Sequence, residues 1–147
     1  MDIGRSNLMG ALVAVMIYLL CIAVFLLRLG NYKTAEHWVG VAFLLAGVPL
    51  IYMLLTAHGF QRPSIYYLQA GLMITFILVE LLLDYVLKID FRHTQWMVII
   101  YVTLFFASTG GMIGIASLAG KFWTILSVIL FLIMAGLAFY QRAKTGM

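Results

Sequence analysis

Charge is scarce in this sequence: 10% of the 147 residues are charged, 65% are hydrophobic, and the mean hydropathy is +1.12. A soluble domain normally carries about a quarter charged residues and hides its apolar side chains in one core, so this composition excludes an ordinary water-soluble domain. Cysteine is scarcer still. Cys21 is the single one and lies inside an apolar run, which excludes an intrachain disulfide and a cysteine-built metal site. The net charge of +4 comes from basic residues placed singly at the ends of apolar runs. That placement suits lipid headgroups and excludes a nucleic-acid-binding patch. Serine or cysteine nucleophile motifs, a glycine-rich phosphate loop and paired metal-binding repeats are all missing, so no catalytic class is indicated.

Apolar length is what the chain does have. Five stretches, 8–27, 38–57, 65–87, 96–118 and 122–140, each hold about twenty predominantly apolar residues, enough at 1.5 Å per residue to cross a hydrocarbon layer of about 30 Å. None alternates with period two and all exceed the length of a barrel strand, so helices are expected throughout. The reading is an all-α polytopic membrane protein. It is one domain over residues 1–147, a bundle of five transmembrane helices with no extramembrane domain. The first stretch lacks a small-residue cleavage pattern and is expected to be retained as a span. Short polar connections force neighbouring helices antiparallel, and the tight Ala119-Gly120-Lys121 turn predicts a helical hairpin.

Five spans place the two termini on opposite sides. Arg28, Lys33, Lys88, Arg92, Arg142 and Lys144 then share one side, and Arg5, Arg62 and Lys121 the other. The positive-inside rule predicts an outer N-terminus and a cytoplasmic C-terminus, in a plasma or bacterial inner membrane. Trp38, Trp96 and Trp123 fall at span starts, where interfacial aromatic residues are expected.

The third stretch contains two carboxyls, Glu80 and Asp84, which are costly inside a bilayer and therefore mark a functional hypothesis. At 100° per residue Gln69, Glu80 and Asp84 lie within a sector of about 60°, with Tyr66 on the same side. This polar stripe is expected to face protein or water. Glu80 lies about 6 Å to the cytoplasmic side of the bilayer centre and Asp84 about 6 Å further. Thr103 is expected level with Glu80 and able to donate to it. Arg28 and Lys88 are expected to form an interfacial ion pair with Asp84. A low dielectric and the acid one turn away favour a neutral Glu80. Such an acid suits proton or cation handling; alternatively it is a hydrogen-bonding group that fixes the helix register.

Gly110, Gly111 and Gly114 form a small-residue stripe on the fourth stretch, expected to let another helix approach closely, within the chain or between chains. Gly40 and Gly47 give the second stretch a similar face. Pro49, which lacks an amide hydrogen, predicts a kink near residues 45–49. His37, His58 and His93 lie at span ends and cannot form one cluster, and no ligand spacing supports a metal site with Asp84 and Asp90. No cofactor is expected, and haem is disfavoured because no histidine lies near mid-membrane.

Three functions are compatible with these features. The first is transfer of protons, cations or a small cationic solute by the acidic stripe. The second is a non-catalytic accessory or assembly subunit, docking a partner or a second copy in the bilayer. The third is an enzyme acting on lipid headgroups through Asp84, Asp90, Arg92 and His93.

Overall fold

The computed structural model describes residues 2–87 and 94–145, with the side chains of Asp84 and Thr145 left outside that set. No strand occurs among the described residues. The first helix, α1 (Ile3–Leu29), is started by Asp2, whose Oδ1 accepts a hydrogen bond from the Arg5 amide at 2.8 Å. That contact satisfies one of the amides a first helical turn leaves free. The chain then reverses through Gly30, Asn31 and Tyr32. Asn31 takes φ 61°, a left-handed conformation that asparagine tolerates better than most residues.

Two helices, α2 (Lys33–Leu45) and α3 (Gly47–Ala57), continue into a 3₁₀ turn, His58–Phe60. Their junction is Ala46, whose amide is shared between the Ala42 carbonyl at 3.2 Å and the Phe43 carbonyl at 3.1 Å. The interruption lies three residues before Pro49, within the segment where the missing proline amide predicts a kink. The fourth helix, α4 (Ser64–Glu80), passes directly into a wider π-helical turn, Leu81–Val86. There the Leu87 amide donates to the Leu82 carbonyl, five residues back, at 2.8 Å. The expected single α-helix over 65–87 therefore changes its winding after Glu80.

A long α5 (Gln95–Ser117) and α6 (Lys121–Thr145) complete the chain. They are joined by a three-residue turn in which Gly120 takes φ 133°, a conformation that a side chain would oppose and glycine permits. Five helical stretches, Ile3–Leu29, Lys33–Phe60, Ser64–Leu83, Gln95–Ser117 and Lys121–Lys144, are long and apolar enough to cross a membrane. Their outward positions are apolar too, including Leu12, Leu55, Phe122 and Leu132.

α1 is the organising helix and touches α2, α3, α5 and α6, while α4 lies mainly along α5. Its inward face, Gly10, Ala11, Ala14, Ile17, Tyr18 and Cys21, recurs at three- and four-residue spacing. Without a side chain, Gly10 allows α1 close to α5 and α3: a Cβ there would lie 2.9 Å from Ile115 Cγ2 and 3.2 Å from Met53 Cε. Tyr18, wholly buried, donates from its hydroxyl to the Thr109 carbonyl at 2.5 Å. Met53, Met73, Met112, Ile115 and Met134 are buried in the same core. α6 contributes a single seam, with Ser127, Met134 and Gln141 buried at seven-residue intervals.

Candidate functional site

Helix direction gathers the basic residues Arg28, Lys33 and Arg142 at one end of the bundle, where α1 ends, α2 begins and α6 ends. At the opposite end Arg62 Nη2 donates to Ser6 Oγ at 3.1 Å, and the Arg62 guanidinium lies over the Tyr66 ring at 4.8 Å. The Arg28 end encloses a partly open cavity of about 400 Å³.

All the helices except α3 contribute to the cavity wall. From α1 come Cys21, Val24, Phe25 and Arg28; from α2 come Lys33, Glu36, His37, Gly40, Phe43 and Leu44. The α2 set follows the i, i+3, i+4, i+7 pattern of one helix face, polar toward the helix start and apolar further along. Phe76 and Glu80 of α4, one turn apart, face the same space as Tyr101 and Phe105 of α5 and Gln141 and Arg142 of α6. The inner wall is aromatic. Phe76 meets Phe43 at 6.0 Å and both Tyr101 and Phe105 at 5.4 Å between ring centroids, and Phe105 meets Phe25 at 6.0 Å. Edge-to-face and tilted contacts of this kind hold rings in fixed positions.

Wider winding after Glu80 shapes the wall. Five residues along an α-helix span about 500°, which leaves residues i and i+5 some 140° apart. Bonding five residues back winds the chain more loosely, and Tyr85 lines the cavity with Glu80. The Tyr85 hydroxyl donates to the His37 carbonyl at 3.3 Å, and its ring lies 5.2 Å from that of His37. It also occupies the place a Cβ of Gly40 would take. Gly40 thus serves a cavity contact inside the chain.

The charges have a definite arrangement. Arg28 Nε donates to Glu36 Oε1 at 2.5 Å, with both side chains largely shielded, so the pair straps α1 to α2 across the Gly30–Tyr32 turn. Arg28 therefore meets Glu36, whereas the sequence expectation gives Arg28 and Lys88 as partners of Asp84; the Asp84 side chain and Lys88 lie outside the described residues. Glu80 is half-buried in the cavity wall, and Cys21 is within electrostatic reach of both Glu80 and Arg28.

The other expected site residues are dispersed. Thr103 is exposed on the opposite side of α5 and does not line the cavity, which corrects its placement as a partner of Glu80: equal depth does not give equal facing. Gln69 packs along α5 against Gly111, whose Cβ position is 3.5 Å from Gln69 Cα, and its amide covers Gly114. Gly110 has open space at its Cβ position, so the close approach involves Gly111 and Gly114. Gly47 faces Ile77 at 3.6 Å. Asp90, Arg92 and His93 lie outside the described residues. Among the described residues no three His, Cys, Asp or Glu side chains are grouped as a metal ion would require.

Sequence reasoning overlooked Glu36, Tyr85, Tyr101 and Gln141 as cavity residues. The Lys33-x-x-Glu36-His37-x-x-Gly40 spacing would have indicated a polar helix face, had α2 been started at Lys33. Fold and site together define a bundle of five long apolar helices around a cavity with a charged rim and an aromatic inner wall. No known family model, curated protein or solved structure matches the chain.

Proposed function

We propose that this chain is a multi-pass membrane protein, with its Arg28 end cytoplasmic, that transfers protons at Glu80 while moving a small solute. The carrying observation is that Glu80, half-buried, lines a cavity. Carboxyls within membrane helices characteristically mark proton and ion pathways. The excess of basic residues at the Arg28 end supports the orientation.

The rim favours the proton over a permanent cation. Facing the cavity are Cys21 and Arg28 from α1, Lys33, Glu36 and His37 from α2, Tyr85 beyond α4, Tyr101 from α5 and Arg142 from α6. Arg28, Lys33 and Arg142 outnumber the carboxyls Glu36 and Glu80, and this excess lowers the local concentration of cations; a proton differs from a permanent cation in that the Glu80 carboxyl binds it covalently. Tyr18, Met112, Ile115 and Met134 fill the bundle beyond the cavity. A proton therefore crosses by alternating exposure of Glu80, with no open pore.

The docking-subunit reading is weakened because Gln69 already covers the Gly111 and Gly114 surface within the chain. The lipid-headgroup enzyme reading depends on Asp84, Asp90, Arg92 and His93, whose side chains lie outside the described residues. A direct test is dissipation of an imposed pH gradient in proteoliposomes, read with an enclosed pH-sensitive dye. With a small solute of the transported class present, wild type is expected to exceed protein-free vesicles and Glu80→Gln to remove the excess. Equal rates for wild type and Glu80→Gln would overturn the proposal.

A further inference from the structure

We infer that the cavity takes a small organic anion with an apolar body, its charged head at the Lys33 and Arg142 end and its body along the aromatic wall. This rests on the proton-transfer reading and names the solute class that goes with it.

The charge balance supplies the sign. Among the described residues the cavity wall carries Arg28, Lys33 and Arg142 against Glu36 and Glu80, and Arg28 with Glu36 forms a pair at 2.5 Å. Beyond that pair Lys33 and Arg142 stand against Glu80, an excess of one positive charge with Glu80 ionised and of two with it protonated. Low-dielectric walls with one sign of charge at the mouth concentrate the opposite ion. A neutral amphiphile gains nothing from this rim, and a cation must pass it before reaching Glu80.

The wall supplies the apolar half. Phe43, Phe76 and Phe105 are buried and held by their mutual ring contacts. The wall also contains Gln141, an amide only 1% exposed, next in sequence to Arg142. A volume of about 400 Å³ falls within the range of about 300–1,000 Å³ typical of small-molecule sites, which are mostly apolar with a few placed polar groups.

Coupling follows from electroneutrality. A monoanion crossing alone moves charge through the membrane field, whereas one proton carried at Glu80 with one anion moves none. The proton is released to water as the anion leaves, so the exchange balances at one proton per anion.

The test uses the full chain in phosphatidylcholine nanodiscs and compares radiolabelled octanoate with octyltrimethylammonium, subtracting binding to empty discs. Saturable octanoate binding is expected, with the cation weaker by about tenfold or more, a difference of about 1.4 kcal/mol. Lys33→Gln with Arg142→Gln is expected to weaken octanoate about tenfold while sparing the cation; Lys33→Arg with Arg142→Lys, which keeps both charges, restores binding. Preference for the cation, or unchanged octanoate affinity in a folded double variant, would overturn the inference. Displacement of octanoate by a few mole per cent of phosphatidylglycerol would also overturn it, by making a lipid headgroup the occupant. Proton flux reports separately. A chain with Glu80-dependent flux that prefers the cation loses this inference alone, and one that binds octanoate without such flux loses the proton reading alone.

Discussion

The two halves of the bundle solve the same packing problem in opposite ways. Toward the Arg62 end, Gly10, Gly111 and Gly114 bring helices together, and Met53, Met112 and Ile115 close the interior. Toward the Arg28 end, rings of Phe43, Phe76, Tyr101 and Phe105 lean on one another and charged side chains border a cavity of about 400 Å³. Small residues let backbones approach, and methionine adapts to irregular gaps. Bulky rings and charges that need partners or water do neither. One half is therefore closely packed, and the other leaves a cavity with a charged rim.

Enlarging a residue in each half sharpens this contrast. Gly10→Leu is expected to have the largest effect on stability, a loss of about 1–3 kcal/mol from overpacking, because its side chain must displace Ile115 and Met53. Thermal unfolding in mild detergent would read it, and an unchanged transition would mean that the far half is not closed. Tyr18→Phe removes the hydroxyl that donates to the Thr109 carbonyl, and a loss of about 0.6 kcal/mol is expected, the average for interhelical hydrogen bonds in lipid, with about 1.7 kcal/mol the upper limit. Val102→Phe adds a ring to the cavity wall. Its stability should change by less than about 0.5 kcal/mol, while octanoate binding falls; a transition lowered as far as that of Gly10→Leu would break the contrast. The smallest effect belongs to Gly110→Ala, whose methyl enters open space, with unfolding within about 0.5 kcal/mol of wild type.

Much of the fold can be read from run length alone. Five long apolar helices, the tight turn at Gly120 and the interruption before Pro49 all follow from composition and backbone chemistry. The site is less legible, and the reasons are specific. Gln69 and Glu80 share a helical face but stand eleven residues apart, about 16 Å of rise, so one belongs to the closed half and the other to the cavity. Thr103 shows the complementary limit. Depth along α5 follows from rise, but which of its faces turns inward depends on the neighbouring helices. The Arg28–Glu36 pair escapes notice because Glu36 reads as part of a connection, whereas α2 already begins at Lys33 and points Glu36 at the end of α1. No residue type announces the π-helical turn after Glu80, which brings Tyr85 into the wall.

The most direct test of the central claim, that the cavity holding Glu80 opens at the Arg28 end, uses Val24→Cys in a Cys21→Ala background. Val24 lines that cavity and is half-buried, whereas Cys21, the sole cysteine in the chain, is buried. In sealed vesicles of known orientation, a small membrane-impermeant methanethiosulfonate reagent is expected to modify the introduced thiol from the Arg28 side, more slowly when octanoate is present. Modification only from the Arg62 side, or none from either side, would contradict the account.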